Sequence, residues 1–226
     1  MTPVQPDATL LPNANAELPV EPPRPVAVID LGTSSIRMAI GEIRSDGEFR
    51  TLETLSQAVA LGKDAFARGA FSRKTIEDCV HTLSMYREVL RSYGIDRDEQ
   101  LRCVATSAVR EAQNRLAFVD RVYIATGIQI EILDSAEVSR VTYLGVEPTL
   151  SSDPALFESR AIVIEVGGGT TEVLVVEKGQ VLFSHSYNLG SLRLRQTLAS
   201  LRAPASKERE IMENHIDRFL DQSLQA

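Results

Sequence analysis

From Val26 onward the chain alternates between short apolar runs and polar turns. Val26 to Ile29 leads through Asp30 and a Gly32 to Ser35 turn into a second apolar stretch from Ile36 to Ile43. Ser45-Asp46-Gly47 reads as a hairpin turn into a third strand at Phe49 to Ser56, so three antiparallel strands are predicted in succession. The period then changes. Ile76, Val80, Leu83, Val89 and Leu90 recur at helical spacing, with Ser72 as N-cap and Gly94 as stop. A strand at Leu101 to Ala105 follows, then a helix from Asn114 to Thr126 closed by Gly127, a strand at Ile128 to Leu133 and a helix at Ser135 to Val146. Beyond a linker near Pro148 to Ser159 the alternation restarts. Strands are predicted at Ala161 to Val166, Glu172 to Glu177 and Gln180 to Tyr187, and helices from Gly190 and Ser206.

The predicted order is β-β-β-α-β-α-β-α and then β-β-β-α-α, a unit and part of its repeat: residues 26–148 form a first subdomain and 160–226 an incomplete second one. Residues 1–25 hold seven of the ten prolines and almost no apolar periodicity, and read as a disordered tail. The incomplete second unit has three explanations: a fragment of a longer protein, a short paralogue that pairs with a second chain, for instance as a homodimer, or a degenerate copy.

The repeat extends to residue chemistry. Val28-Ile29-Asp30-Leu31-Gly32-Thr33-Ser34-Ser35 is echoed by Val163-Ile164-Glu165-Val166-Gly167-Gly168-Gly169-Thr170. A carboxylate at the end of a buried strand offers hard oxygen to a cation. Glycines let backbone N–H groups approach phosphate, and short hydroxyls add donors. Two such turns facing each other would clamp a phosphorylated ligand.

Composition narrows the ligand and the setting. A formal charge of −7 and a pI near 5.1 argue against a general nucleic-acid binder, and no apolar run approaches a membrane span. Cys79 and Cys103 read as reduced core residues, while His81, His185 and His215 stand apart as surface or packing residues. The N-terminus lacks the charged and apolar regions of a signal peptide, and the cytoplasm is the expected compartment.

Three antiparallel strands followed by helix-linked parallel ones resemble the ribonuclease H-like subdomain used twice in the actin, Hsp70 and sugar kinase superfamily, an α/β fold. The motifs resemble a narrower group, the exopolyphosphatase and guanosine pentaphosphate phosphohydrolase family. Asp30 to Ser35 is similar to that family's Asp-Leu-Gly-Ser-Asn-Ser turn. Val104 to Ala112 is similar to its segment ending in a phosphate-contacting Arg, and Glu165 to Glu172 to its Asp-Ile-Gly-Gly-Gly-Ser-Thr-Glu loop. The resemblance implies hydrolysis of a phosphoanhydride in inorganic polyphosphate or guanosine pentaphosphate, with Mg²⁺ as cofactor. By that resemblance Asp30 and Glu165 hold Mg²⁺. Gly32, Thr33, Ser34, Ser35, Gly167, Gly168, Gly169 and Thr170 donate to phosphate oxygens, and Arg110 grips phosphate by two points.

The sequence also departs from the family. Its Ser-Gly-x-Glu-Glu-Ala-Arg helix reads Asp134-Ser135-Ala136-Glu137-Val138-Ser139-Arg140 here, so the position of the family's general base falls on Val138. Glu137 is one residue away, which on a helix is a rotation of about 100°. Glu172 is the better candidate base, with Glu137 and Arg110 completing the catalytic set. Glu165 stands where the family has Asp, one methylene longer. Two functions therefore compete, a Mg²⁺-dependent exopolyphosphatase-type hydrolase and a catalytically impaired module that binds polyphosphate or a guanosine alarmone. A third reading, an ATP-binding relative of sugar or acetate kinases, rests on the shared fold alone.

Overall fold

The computed structural model describes residues 24–44, 47–202 and 204–223. The predicted disordered tail, apart from Arg24 and Pro25, lies outside the described residues, as do Ser45 and Asp46 of the predicted hairpin turn. Arg24 and Pro25 already belong to the first strand.

Strands β1 (Arg24–Leu31), β2 (Ser35–Ile43), β3 (Phe49–Ala58), β4 (Leu101–Ala105) and β5 (Ile130–Ile132) form one sheet in the order β3-β2-β1-β4-β5. β1 and β4, and β4 and β5, run parallel; the β1–β2 and β2–β3 pairs are antiparallel. This is the ribonuclease H-like α/β arrangement that the strand order predicts. Alternation along β1 divides its side chains between two faces. Ala27, Ile29 and Leu31 are 3%, 0% and 0% exposed. They join a core with Cys79, Leu83, Tyr86 and Leu90 of α2 (Arg73–Ser92) and Phe118 and Val122 of α4 (Arg115–Thr126). The Tyr86 hydroxyl donates to the Ile36 carbonyl at 3.0 Å, which ties α2 to the sheet. The intervening Val28 and Asp30 face the opposite way, into a cleft.

The predicted caps are present. Ser72 accepts from the Thr75 N–H at 3.2 Å, and Gly94 and Gly127 end their helices with φ of +70° and +68°. Cys79 and Cys103 are buried free thiols, and burial pushes the Cys79 thiol up to about 12.

β6 (Arg160–Val166), β7 (Thr171–Glu177) and β8 (Gln180–Tyr187) form a second, antiparallel sheet in the order β6-β7-β8. Its register repeats that of the first. Asp30 pairs with Arg37 across β1 and β2, and Glu165 with Glu172 across β6 and β7. α5 (Ser135–Ser152) covers one face, where Leu174 and Val176 are buried. On the other face Ile162, Ile164 and Val166 are 66%, 62% and 65% exposed, although they match the fully buried Ala27, Ile29 and Leu31 in the repeat.

Four elements differ from expectation. Helices α1 (Leu61–Arg68), α3 (Ser107–Glu111) and α6 (Pro154–Glu158) are additional. The predicted linker near Pro148 to Ser159 is largely helical, because α5 continues through Pro148 to Ser152 and Asp153 then caps α6. Two further helices complete the chain, α7 (Ser191–Ser200) and α8 (Glu208–Ser223). Among the described residues, no helix is long and apolar enough to cross a membrane.

The turn between α1 and α2 hangs on Asp64, which is 7% exposed. Its carboxylate accepts from the Ser72 N–H at 2.8 Å and the Thr75 hydroxyl at 2.7 Å. Burial pushes this carboxyl up, but the Ser72 and Thr75 hydrogen bonds, helped by the Arg68 charge, outweigh it and hold it below the usual 3.8. A lowered value in the folded chain means that the contribution is complete above 3.8 and disappears as pH falls through the lowered value. Asp64→Ala should therefore cost about 1.5–3 kcal/mol in urea unfolding near pH 7. The deficit should shrink in acid; an equal deficit at all pH values would contradict the linkage.

Candidate active site

The two glycine turns are built alike. The Gly32 N–H donates to the Ser35 carbonyl at 3.0 Å, and the Gly167 N–H to the Thr170 carbonyl at 2.9 Å. Each turn is then secured by the helix that follows its own sheet. The Thr33 carbonyl accepts from the Gly62 N–H of α1 at 2.6 Å, and the Ser34 carbonyl from the Val59 N–H at 3.1 Å. In the second turn the Ser191 N–H donates to Gly167, and the Leu192 and Arg193 N–H groups donate to Gly168, at 2.9 to 3.0 Å. The unpaired N–H groups at the start of α7 thus meet the carbonyls of the loop. Gly190 permits this approach, since a Cβ there would sit 2.5 Å from the backbone of Gly168 and Gly169.

Arg193 locks the arrangement across the two sheets. Its Nε donates to the Gly169 carbonyl at 2.9 Å, an Nη reaches the Glu111 carboxylate at 2.6 Å, and the guanidinium lies 4.2 Å from the Phe66 ring centroid. With the three glycine carbonyls occupied, the N–H groups of Gly168, Gly169 and Thr170 have no protein acceptor among the described residues. Gly168 packs directly against Thr33, so the two turns touch.

Together they border a cleft of about 780 Å³. Of the sequence-predicted residues it is lined by Asp30, Gly32, Thr33, Ser34, Ser35, Glu165, Gly167, Gly168, Gly169, Thr170 and Glu172. α5 supplies another wall through Val138, Val141, Thr142, Gly145 and Val146, one face of the helix. Burial pushes the Asp30 carboxyl up; Arg37 draws it back, and the nearby Glu165 charge raises it again. The Glu165 carboxylate accepts from the Thr142 hydroxyl at 2.6 Å. Glu172, 3% exposed, accepts from the Ser139 hydroxyl at 3.1 Å and the Ser186 hydroxyl at 2.6 Å.

Two predicted catalytic residues lie elsewhere. Arg110 does not line the cleft; its guanidinium donates to the Leu133 carbonyl at 2.8 Å and joins α3 to the end of β5. Glu137 closes a capping box, accepting from the Asp134 N–H at 2.8 Å while its own N–H donates to Asp134. The helical rotation puts Val138, not Glu137, on the cleft wall. Arg37, which the sequence reading passed over, is the only cation among the cleft-lining residues. Its position directly opposite Asp30 in a strand-turn-strand motif was the available signal.

Geometry alone does not assign two converging glycine turns to a family; comparison with known proteins does. The sequence profile of the Ppx/GppA phosphatase family matches residues 39–226. The chain belongs to this family. Among Ppx/GppA relatives, exopolyphosphatase 2 of Mycobacterium tuberculosis is 30% identical over 191 residues, which cover 81% of this chain and 57% of that protein. The bifunctional 3-dehydroquinate synthase/phosphatase of Fusobacterium nucleatum is 29% identical over 75% of this chain and 26% of its own length. A crystal structure of the Aquifex aeolicus Ppx/GppA member, 28% identical, covers 78% of this chain and 55% of that one with a TM-score of 0.64. The chain thus spans roughly a quarter to just over half of the curated relatives' lengths.

Two outcomes test the site as built. Gly190→Ala should destabilise the protein by about 1–3 kcal/mol in thermal unfolding, through forced separation of α7 from the glycine loop. Asp30 has a raised value in the folded chain, so protonation favours folding and stability falls as pH rises from 3.8 through the raised value. Asp30→Asn should accordingly melt higher than the wild type at pH 7, by about 2–4 °C per kcal/mol relieved. An Asn variant that melts lower would contradict the burial cost.

Proposed function

We propose that this cleft hydrolyses phosphoanhydrides, releasing terminal phosphate from inorganic polyphosphate or guanosine pentaphosphate. The observation that carries the reading is the contact of two glycine turns around one cavity, with Asp30 and Glu165 close enough for one charge to act on the other. The similarity to exopolyphosphatases supports polyphosphate as the substrate class.

The charge balance of the cleft supports a cation. Three carboxylates, Asp30, Glu165 and Glu172, and one arginine line a cavity that is to receive a polyanion. Among the described residues no group of three or more His, Cys, Asp or Glu forms a complete protein metal cage. Mg²⁺ needs none, since it is usually held by one or two carboxylates with water and substrate phosphate filling the rest. Asp30 and Glu165 are hard oxygen donors of that kind. When bound, Mg²⁺ would offset negative charge on the phosphate oxygens.

The protein's own groups account for the remaining steps. The free N–H groups of Gly168, Gly169 and Thr170 and the hydroxyls of Thr33, Ser34 and Ser35 orient the terminal phosphate. Arg37 adds the planar donor set that the sequence reading assigned to Arg110. Water attacks the terminal phosphorus as the bridging P–O bond breaks, and the leaving oxygen keeps that electron pair. The water proton passes to Glu172.

One observation favours the second function, a binding module without turnover: Val138 occupies the cleft wall and has no proton-accepting group. Phosphate release from polyphosphate with Mg²⁺ separates the two. Glu172→Ala should lower kcat by about 10²–10⁴, the usual contribution of a general base. Val138→Glu, which adds a carboxylate to the same wall, should raise the rate. Polyphosphate binding with no release by either the wild type or Val138→Glu would establish the module instead.

A further inference from the structure

Glu172 is the one acidic cleft residue whose two oxygens are both held by protein hydroxyls, from Ser139 and Ser186. We infer that Ser139 and Ser186 are positioning residues that fix the Glu172 carboxylate as the proton acceptor. The inference rests on the hydrolase reading above.

The two hydroxyls come from different elements. Ser139 stands on α5 immediately after Val138, and Ser186 on β8 in register with Glu172. Ser139 is 5% exposed and Glu172 3%, so the carboxylate sits where an unpartnered charge is unfavourable and where two donors restrict its rotation. Each carboxylate oxygen has two lone pairs, and one hydroxyl donor on each leaves a further acceptor site per oxygen. Glu172 remains able to take a proton from water while its position is set.

The local sequence makes the pairing specific. In Glu137-Val138-Ser139 the middle residue lines the cleft without a carboxylate, and the next supplies the hydroxyl that reaches Glu172. Val138 forms apolar wall in the same cleft as a carboxylate held by two hydroxyls.

The test compares side chains of equal size. Ser139→Thr retains a hydroxyl, whereas Ser139→Val has the same shape without a donor; Ser186→Ala removes the other anchor. With polyphosphate and Mg²⁺, Ser139→Val combined with Ser186→Ala should lower kcat by about 10- to 100-fold with KM little changed, the scale of a 1 Å misplacement. Ser139→Thr should restore most of the kcat lost in Ser139→Val, which a purely space-filling role would not do. A crystal structure of the Ser139→Val, Ser186→Ala double variant supplies a readout independent of turnover, in which the Glu172 carboxylate should leave its present position. If it stays in place, the inference is overturned whether or not the wild type is active. An active wild type whose kcat is equal in the Thr and Val variants overturns it while leaving the hydrolase reading intact. An inactive wild type overturns that reading and the catalytic role with it.

Discussion

The structure depends on where the carbonyls of Gly167, Gly168 and Gly169 point. A peptide group presents its N–H and C=O in opposite directions, so a loop that binds anions through its N–H groups must place its carbonyls somewhere acceptable. Here the first turn of α7 takes those of Gly167 and Gly168, as it needs acceptors for its own unpaired donors, and the Arg193 side chain takes that of Gly169. Two deficits cancel at one junction. The cost is steric, borne by Gly190, and the gain is a row of N–H groups left facing away from the helix. The first turn is secured in the same manner by the Val59 and Gly62 amides, so one device serves both halves of the cleft.

Arg193 extends this local arrangement into a global one. A single side chain touches the glycine loop, Glu111 of α3 and Phe66 of α1, and thereby fixes the distance between turns that belong to different sheets. Cleft geometry is consequently a property of the helix pair α1 and α7 as much as of the strands. The cleft wall from α5 is a third partner, bound to the second sheet by the Ser139 to Glu172 and Thr142 to Glu165 hydrogen bonds.

Most strands and both glycine turns were legible because their signals are local. Alternating residues mark β1 to β3 and β6 to β8, and Ser72, Gly94 and Gly127 punctuate the helices by short-range chemistry. What was missed depends on distant partners. Helix α1 has eight residues, too short a window for its period to stand out in the sequence, and it packs against Thr33 and α7. Pro148 reads as a stop, since proline removes a helical hydrogen bond, yet α5 continues past it. A charged residue on a strand, such as Arg37, is normally a solvated one, and only the position of the second sheet makes it part of a cleft. The motifs that resemble the Ppx/GppA family drew together Asp30, Glu165 and the glycines, which do line one cleft, and Arg110, which does not and instead ties α3 to the end of β5.

The uneven covering of the two sheets has a consequence for motion. The first sheet is sealed under α2 and α4, with Ile29 and Leu31 wholly enclosed, whereas their counterparts Ile164 and Val166 remain largely in water. Less apolar surface is withdrawn per residue in the second half, which therefore lies at the low end of the local opening energies within this molecule. Because Gly167 to Thr170 and Glu172 belong to that half, loosening of the weaker sheet would open one wall of the cleft while the stronger one stays folded. The shape of the cleft and the local ordering of the second sheet are in that sense a single equilibrium.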